Sequence, residues 1–258
     1  MSDVFLVTTT NLASGRSDEL ERFIASVEQF RADQPDCQVR SAILFQNAAS
    51  LPVPPMPDWV TVHKIDGLVS LSKARNILLA TFDLPSDNAT TAIVAFPDDD
   101  AWYPRGSLQR LRSAIVDTPD VDFALCRYGS DASSPTPDLR AQPAMLQTSI
   151  SYGSSNTIVL RASLAAKLSG FADDLGLGTL AGSGEDTDYA IRAWHAARKT
   201  VFFNARLIGH RDNSAAMKRR YFKGSLDAIA RNAHLSGQAR IAHLRKRMIG
   251  FIRTLPGM

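Results

Sequence analysis

The sequence predicts an α/β domain: a mainly parallel sheet with helices on both faces. Three observations predict it. Short β-branched and apolar runs alternate with segments of helical periodicity over the first 130 residues, and such alternation builds parallel sheets covered on both sides. The chain of 258 residues fits one large α/β domain better than two small ones. Apolar residues make up 45%, charged residues 21%, and Gly and Pro together 28 residues, which is ordinary globular composition and excludes collagen-like, disordered and disulfide-scaffold classes.

The elements follow in order. Val4–Thr10 is a β-branched run opening into the polar Thr10-Asn11, a strand by pattern. Ser17 to Arg31 carries Leu20, Phe23, Ile24, Val27 and Phe30 at helical spacing. Ser17 or Asp18 is its expected cap, and Asp18, Glu19 and Glu21 suit the positive end of its dipole. Val39–Phe45 is a second strand, the four prolines of Leu51–Asp58 enforce a loop, Val60–Ile65 is a short strand, and Leu71–Phe82 a helix. Thr91–Phe96 is a strand running into Pro97-Asp98-Asp99-Asp100. Ser107–Val116 reads as helix, Phe123–Tyr128 as strand, and the Ser-, Pro- and Asp-rich 129–143 as surface loop. Asn156–Leu160 is a strand, Ala162–Leu168 a helix ending at Gly170, and Leu175–Gly184, with four glycines, a mobile loop. Asp186–Ala197 is a helix and Thr200–Asn204 a late strand.

Only Cys37 and Cys126 are cysteines, so neither a cysteine zinc site nor a disulfide framework is expected, and a reducing compartment is favoured. The start of the chain lacks a basic segment followed by an adequate apolar one, so it does not read as a signal peptide. With no apolar stretch of 18 residues, no spanning helix is expected, and the chain reads as cytoplasmic or peripheral to a membrane. The net charge of +3 hides an asymmetry. Residues 215–258 hold ten Lys/Arg against Asp227 alone, leaving 19 bases and 25 acids in residues 1–214. The body is thus about −6 and the tail about +9. An acidic body argues against nucleic acid as partner.

Asp98-Asp99-Asp100 is the most informative feature. Adjacent carboxylates at the end of a buried strand repel one another, and a hard divalent cation with oxygen ligands is the natural partner. A solvated turn capping the helix at Ser107 is the competing explanation. Ligands of parallel sheets bind at the carboxyl ends of the strands, where this triplet lies. In Leu71-Ser72-Lys73-Ala74-Arg75-Asn76, Arg75 is a candidate planar fork for phosphate and Ser72 a candidate helix cap. Gly182-Ser183-Gly184-Glu185-Asp186 puts an acidic pair at a helix start beside a glycine-rich loop, where a carboxylate can serve as general base.

These segments, in this order, resemble the inverting family 2 glycosyltransferases of GT-A fold. The resemblance rests on LSKARN (71–76), AFPDDDAWYP (95–104), GSGEDTDYAIRAW (182–194) and His210, and organises residues 1–214. It implies a GT-A catalytic domain over 1–214, with a Rossmann-like, mainly parallel mixed sheet, and a basic helical C-terminal extension over 215–258. It implies that Asp98 and Asp100 hold Mn2+ or Mg2+ bridging the diphosphate of a nucleotide sugar, with Asp98 also counted among the donor-binding residues. Asp99 then faces the ribose or sugar, and Thr8, Thr9, Thr10 and Asn11 line the nucleotide with Arg75 nearby. Asp186 is the implied general base and Glu185 the residue orienting the acceptor. His210, after Leu207-Ile208, is a further candidate metal ligand or diphosphate contact. Two departures stand out. Where the family often has an acid after the second strand, this chain has Gln46 and Asn47, and the usual Pro-Thr-Tyr-Asn of the first strand is Thr8-Thr9-Thr10-Asn11. A UDP-sugar is the favoured donor, a glycan or lipid-linked molecule the expected acceptor.

In the tail, Gln238–Arg253 sets Ile241, Leu244, Met248 and Phe251 or Ile252 on one helical face, with Arg240, Arg245, Lys246 and Arg247 elsewhere. Such a helix either lies on an anionic membrane surface or packs its apolar face on the domain. Two other functions compete with sugar transfer. A nucleotidyltransferase would show a glycine-rich loop and a base after the first strand, for which Gly15-Arg16 is a slight match. A non-catalytic binding protein would use the basic tail as its working surface.

Overall fold

A computed structural model describes residues 2–49, 51–212 and 214–254, without the side chains of 2, 218 and 252–254. The first half contains β1 (Ser2–Asn11), α1 (Ser17–Asp33), β2 (Cys37–Gln46), β3 (Val60–Lys64), α2 (Leu71–Leu79), β4 (Ile93–Ala95) and α3 (Ser107–Val116). Next come β5 (Phe123–Gly129), β6 (Gln142–Pro143), α4 (Leu146–Tyr152), β7 (Ile158–Arg161), α5 (Ala162–Lys167), α6 (Glu185–Ala196) and β8 (Thr200–Gly209). The extension holds α7 (Ala215–Arg220), α8 (Phe222–Arg231) and α9 (Gly237–Thr254).

Alternation within β1 creates two cores. Val4 and Leu6 join the core built with α1 and α3, while Phe5 and Val7 join the one built with α2, α5 and α6. All five apolar positions expected on α1 are buried, and each such side chain contributes about 1.5–3 kcal/mol. The strands form one sheet in the order β3-β2-β1-β4-β7-β5-β8-β6. β1, β2, β3 and β4 are mutually parallel, β5 and β8 run with them, and β7 and β6 oppose them. This mixed, mainly parallel sheet between helical layers is the GT-A fold.

The reversal of β7 shapes the site. Because β7 runs antiparallel to β4, its entry turn, Ser155–Thr157, lies beside the exit of β4, where the acid triplet begins.

Several local expectations are corrected. Neither Ser17 nor Asp18 caps α1. Arg16 occupies the cap position without a capping side-chain bond and turns instead toward Asp99. Ser70, not Ser72, caps α2 by accepting from the Lys73 amide; Ser72 is buried and donates to the Leu175 carbonyl at 2.8 Å. The late strand continues to Gly209, five residues beyond the expected end. The segment 129–143 includes the short edge strand β6. Leu175–Gly184 is a chain of linked turns, closed by Gly176 N–H to the Ser183 carbonyl and tied to α2 by Leu71 N–H to the Leu177 carbonyl.

The extension packs directly on α6. Ile229 and Ala239 share a small core with Ile191 and Leu146, and Asn232 donates to Asp188 at 2.7 Å. Glycine at two positions permits this approach: a Cβ on Gly184 (φ +102°) would sit 2.3 Å from the Gly224 carbonyl oxygen. On α9 the apolar face expected from the sequence is not the packed one. Ala239, Ala242, His243 and Lys246 turn inward, while Ile241, Leu244, Met248 and Phe251 are exposed. The side chains of Ile252 and Arg253, and all of 255–258, lie outside the described residues.

Candidate active site

The acid triplet leaves the buried end of β4 and each carboxylate meets its own guanidinium. Arg75 donates to Asp98 at 2.9 Å, Arg16 donates to Asp99 at 2.8 Å, and Arg211 donates to Asp100. Three arginines therefore offset the repulsion from which the sequence argues for a metal. Charge alone does not call for one here.

Three ligand atoms nevertheless lie close enough together to hold one. One oxygen each of Asp98 and Asp100 and a ring nitrogen of His210 lie within 4.8 Å of one another. His210 Nε2 is 3.1 Å from Asp100 Oδ1 and 3.6 Å from Asp98 Oδ2. Despite the short separation, His210 Nε2 and Asp100 Oδ1 are both buried without an aligned hydrogen-bond partner. His210 Nδ1 lies 2.8 Å from the Arg211 carbonyl, which can only accept; Nδ1 therefore carries the proton and Nε2 keeps its lone pair when the ring is neutral. Two carboxylates and an imidazole suit a divalent cation, so the residues fit the expected group. Burial pushes the His210 pKa down, but Asp100 and Asp98 outweigh it and hold it above the ordinary imidazole value. Burial likewise pushes Asp100 up, yet His210, Arg211 and Arg16 leave it below the usual carboxylate value.

Arg75 joins this cluster to the acidic pair. Its side chain is 3% exposed; one terminal nitrogen bonds Asp98 and Ser155 Oγ, the other Asp186 Oδ1 at 2.9 Å. The Ser155 amide donates to Asp186 Oδ2 at 2.9 Å. Asp186 is thus held at both oxygens, each with a lone pair to spare. Glu185, buried at the start of α6, is pushed up to about 7 by burial and by Asp186, against the pull of Arg75.

Arg75, Asp98, Glu185, Asp186 and His210 line one cleft of about 820 Å³, within the range of small-molecule sites. Asp100 lies behind it, 4% exposed. The other sequence-derived residues gather outside this lining. Asp99 turns toward β1, where Thr10 donates to it at 2.7 Å, and burial raises its pKa despite Thr10 and Arg16. Asn11 accepts from Asn47 at 2.7 Å, and Gln46 accepts from the Val69 amide at 2.8 Å. Thr9 sits at the same end of β1, half-buried. Thr8 is fully buried, and its side chain does not reach the surface.

Sequence reasoning missed Asn156, Ser155, Arg16 as a partner of Asp99, and Arg211. Asn156 grips Asp98 twice, accepting from its amide and donating to its carboxylate, both at 2.7 Å. Arg211 was within reach, being adjacent to His210. The Ser154–Thr157 run carries no local mark of its role. Further along the cleft, Met217, Tyr221, Lys246 and Ile249 of the extension form the wall facing these groups.

Comparison with known proteins agrees with this architecture. No protein-family model and no curated protein sequence matches the chain. Solved structures of Staphylococcus aureus TarS do. TarS 1–349 in complex with UDP is 14% identical with a TM-score of 0.63, covering 99% of this chain and 75% of that one. TarS 1–349 in complex with UDP-GlcNAc is 14% identical with a TM-score of 0.62, covering 91% and 66%. A further TarS structure is 13% identical with a TM-score of 0.64, covering 95% of this chain and 43% of that one. The chain spans about two thirds or less of most of these proteins. At such identity the likeness is one of fold.

Proposed function

We propose that this chain is an inverting family 2 glycosyltransferase that moves a sugar from a nucleotide-diphosphate donor, a UDP-sugar, to a hydroxyl of a glycan or lipid-linked acceptor. The observation that carries this reading is the convergence of Asp98, Asp100, His210 and Asp186 around Arg75 at the carboxyl ends of the strands. The same fold in TarS is found with UDP and with UDP-GlcNAc.

Asp186, oriented by Arg75 and the Ser155 amide, takes the proton of the acceptor hydroxyl. The acceptor oxygen then attacks the anomeric carbon as the bond to the nucleoside diphosphate breaks, and the diphosphate leaves with the electron pair. Attack opposite the leaving group inverts the configuration. Glu185 orients the acceptor. Asp98, Asp100 and His210 would hold Mn2+ or Mg2+, which supplies Lewis-acid stabilisation of charge on the departing diphosphate. Thr9, Thr10, Asn11, Gln46 and Asp99 form the nucleoside end. The enzyme works in the cytoplasm, peripherally on the inner face of the membrane, with residues 238–253 toward an anionic surface and no nucleic acid as partner. Among the described residues no helix is long and apolar enough to cross a membrane.

Thermal unfolding with UDP, GDP, dTDP or CMP, each with and without Mn2+, tests the donor reading. A nucleotide at about 100 times its Kd adds roughly 2.7 kcal/mol. A Mn2+-dependent shift with UDP, lost in Asp100→Ala, is expected; no shift with any nucleotide overturns the reading. In Asp186→Asn turnover should collapse while the UDP shift survives. Intact transfer in that variant removes the base assignment.

A further inference from the structure

We propose that the outward face of α9 docks on an anionic lipid bilayer and thereby sets the catalytic cleft one helix width from the membrane surface. The inference deepens, and rests on, the reading of this chain as a transferase that works at a membrane.

The geometry of α9 carries it. Ile241, Leu244, Met248 and Phe251 are 58%, 59%, 64% and 66% exposed. Their spacing of three and four residues aligns them in one stripe. The packed residues Ala239, Ala242, His243, Lys246 and Gly250 form the other side, roughly 160° around the helix at 100° per residue. One side of α9 is therefore already used, and Ile241, Leu244 and Met248 point away from it. Arg240 and Arg247 flank the stripe on one edge and Arg245 on the other. All three are exposed, and none has an ion pair among the described residues. No Asp or Glu occurs on α9.

That charge pattern selects the occupant. Lipid headgroups of negative charge complement arginines that border an apolar stripe. A second copy would bring these arginines against their own equivalents across an isologous contact, with no acid on α9 to pair them. The inner side of the same helix contributes Lys246 and Ile249 to the cleft wall. A bilayer lying on the stripe is then about 10–12 Å, one helix diameter, from that wall. Such a distance suits an acceptor whose hydroxyl is carried on a lipid anchor.

The test is flotation of the full chain with vesicles of phosphatidylglycerol and phosphatidylcholine, 1:1, and with phosphatidylcholine alone, in the absence of nucleotide. Binding to the anionic vesicles only, weakened by salt, is expected. The double variant Leu244→Glu, Met248→Glu should bind at least about tenfold more weakly, and the triple variant Arg240→Ala, Arg245→Ala, Arg247→Ala on the order of 100-fold more weakly, both with unchanged unfolding midpoints. No binding to anionic vesicles, or binding unaffected by both variants, overturns the proposal. Self-association in solution that Leu244→Glu dissolves also overturns it, in favour of a second copy. The UDP-induced thermal shift is read separately: its retention without vesicle binding sinks the docking alone, and its absence with vesicle binding intact sinks the transferase reading.

Discussion

Arg75 and Asp186, 111 residues apart, form a 2.9 Å ion pair in which the same guanidinium also holds Asp98. One buried cation thus fixes the spacing between the candidate metal ligands and the candidate base. Removing it in Arg75→Ala leaves two carboxylates and Ser155 facing a void, which should cost about 3–5 kcal/mol in urea unfolding. Arg75→Lys keeps the charge but has a single ammonium in place of a planar fork. It should stay folded at pH 7 and lose tenfold or more in turnover, on the order of 1.4 kcal/mol of transition-state stabilisation. A Lys variant with full turnover would show that the bridge is dispensable.

Glu185 should make stability fall as pH rises. Its folded pKa is pushed up to about 7 by burial and by Asp186, while an unfolded Glu titrates near 4.3. Between those values the folded state binds more protons than the unfolded one, so stability is highest below about pH 4.3 as far as this group is concerned and declines until about pH 7. The span corresponds to about 4 kcal/mol at most. Glu185→Gln should therefore be more stable than the parent at pH 8 and show a flatter profile from pH 5 to 7. Equal profiles for the two proteins would assign the trend to other groups.

The His210 imidazole should link metal affinity to pH. With its pKa held above the ordinary value by Asp100 and Asp98, the metal-free ring gains a proton readily, and that proton competes with a cation for Nε2. Mn2+ binding should weaken by up to tenfold per pH unit below that pKa. Without metal the sign reverses: the raised pKa contributes stability that is present below about pH 6.5 and lost as pH rises through the folded value. Mn2+ titrations at pH 6 and 8 read the first effect. His210→Ala should remove the pH dependence along with most of the affinity, and a variant that binds like the parent would exclude the imidazole as ligand.

What was legible in the sequence follows from locality. The run Thr91–Phe96 into three acids marks a buried strand exit, and the five apolar positions of α1 mark its buried face, because both patterns are written in consecutive turns or alternate residues. The partners of the acids are not written that way. Asn156 and Ser155 reach Asp98 and Asp186 only because β7 is inserted antiparallel between β4 and β5. Arg16 abandons a helix cap for Asp99, 83 residues away. On α9 the apolar periodicity was readable, but which side packs depended on small residues, Ala239 and Ala242, that a search for large apolar side chains passes over.

Gly209 should prove essential to the candidate metal ligands although it carries no side chain. It pairs with Trp102 through two backbone hydrogen bonds, of 3.0 and 2.8 Å, and this bridge ties the loop carrying Asp100 to the strand end carrying His210. The Trp102 ring lies on the bare Cα: a Cβ at 209 would be 1.9 Å from its nearest ring atom. Its neighbour Arg22 lies 3.9 Å from the ring centroid and itself donates to the Asp100 carbonyl at 3.2 Å, so a displaced ring disturbs the acid loop as well. Gly209→Ala should cost about 1–3 kcal/mol through overpacking and weaken Mn2+ binding, read by calorimetric titration. Adding Trp102→Ala restores the space and should recover part of the affinity lost in the single variant. Such recovery would trace the defect to the ring-on-glycine contact, whereas undiminished Mn2+ binding in Gly209→Ala would show that Asp100 and His210 keep their spacing without the bridge.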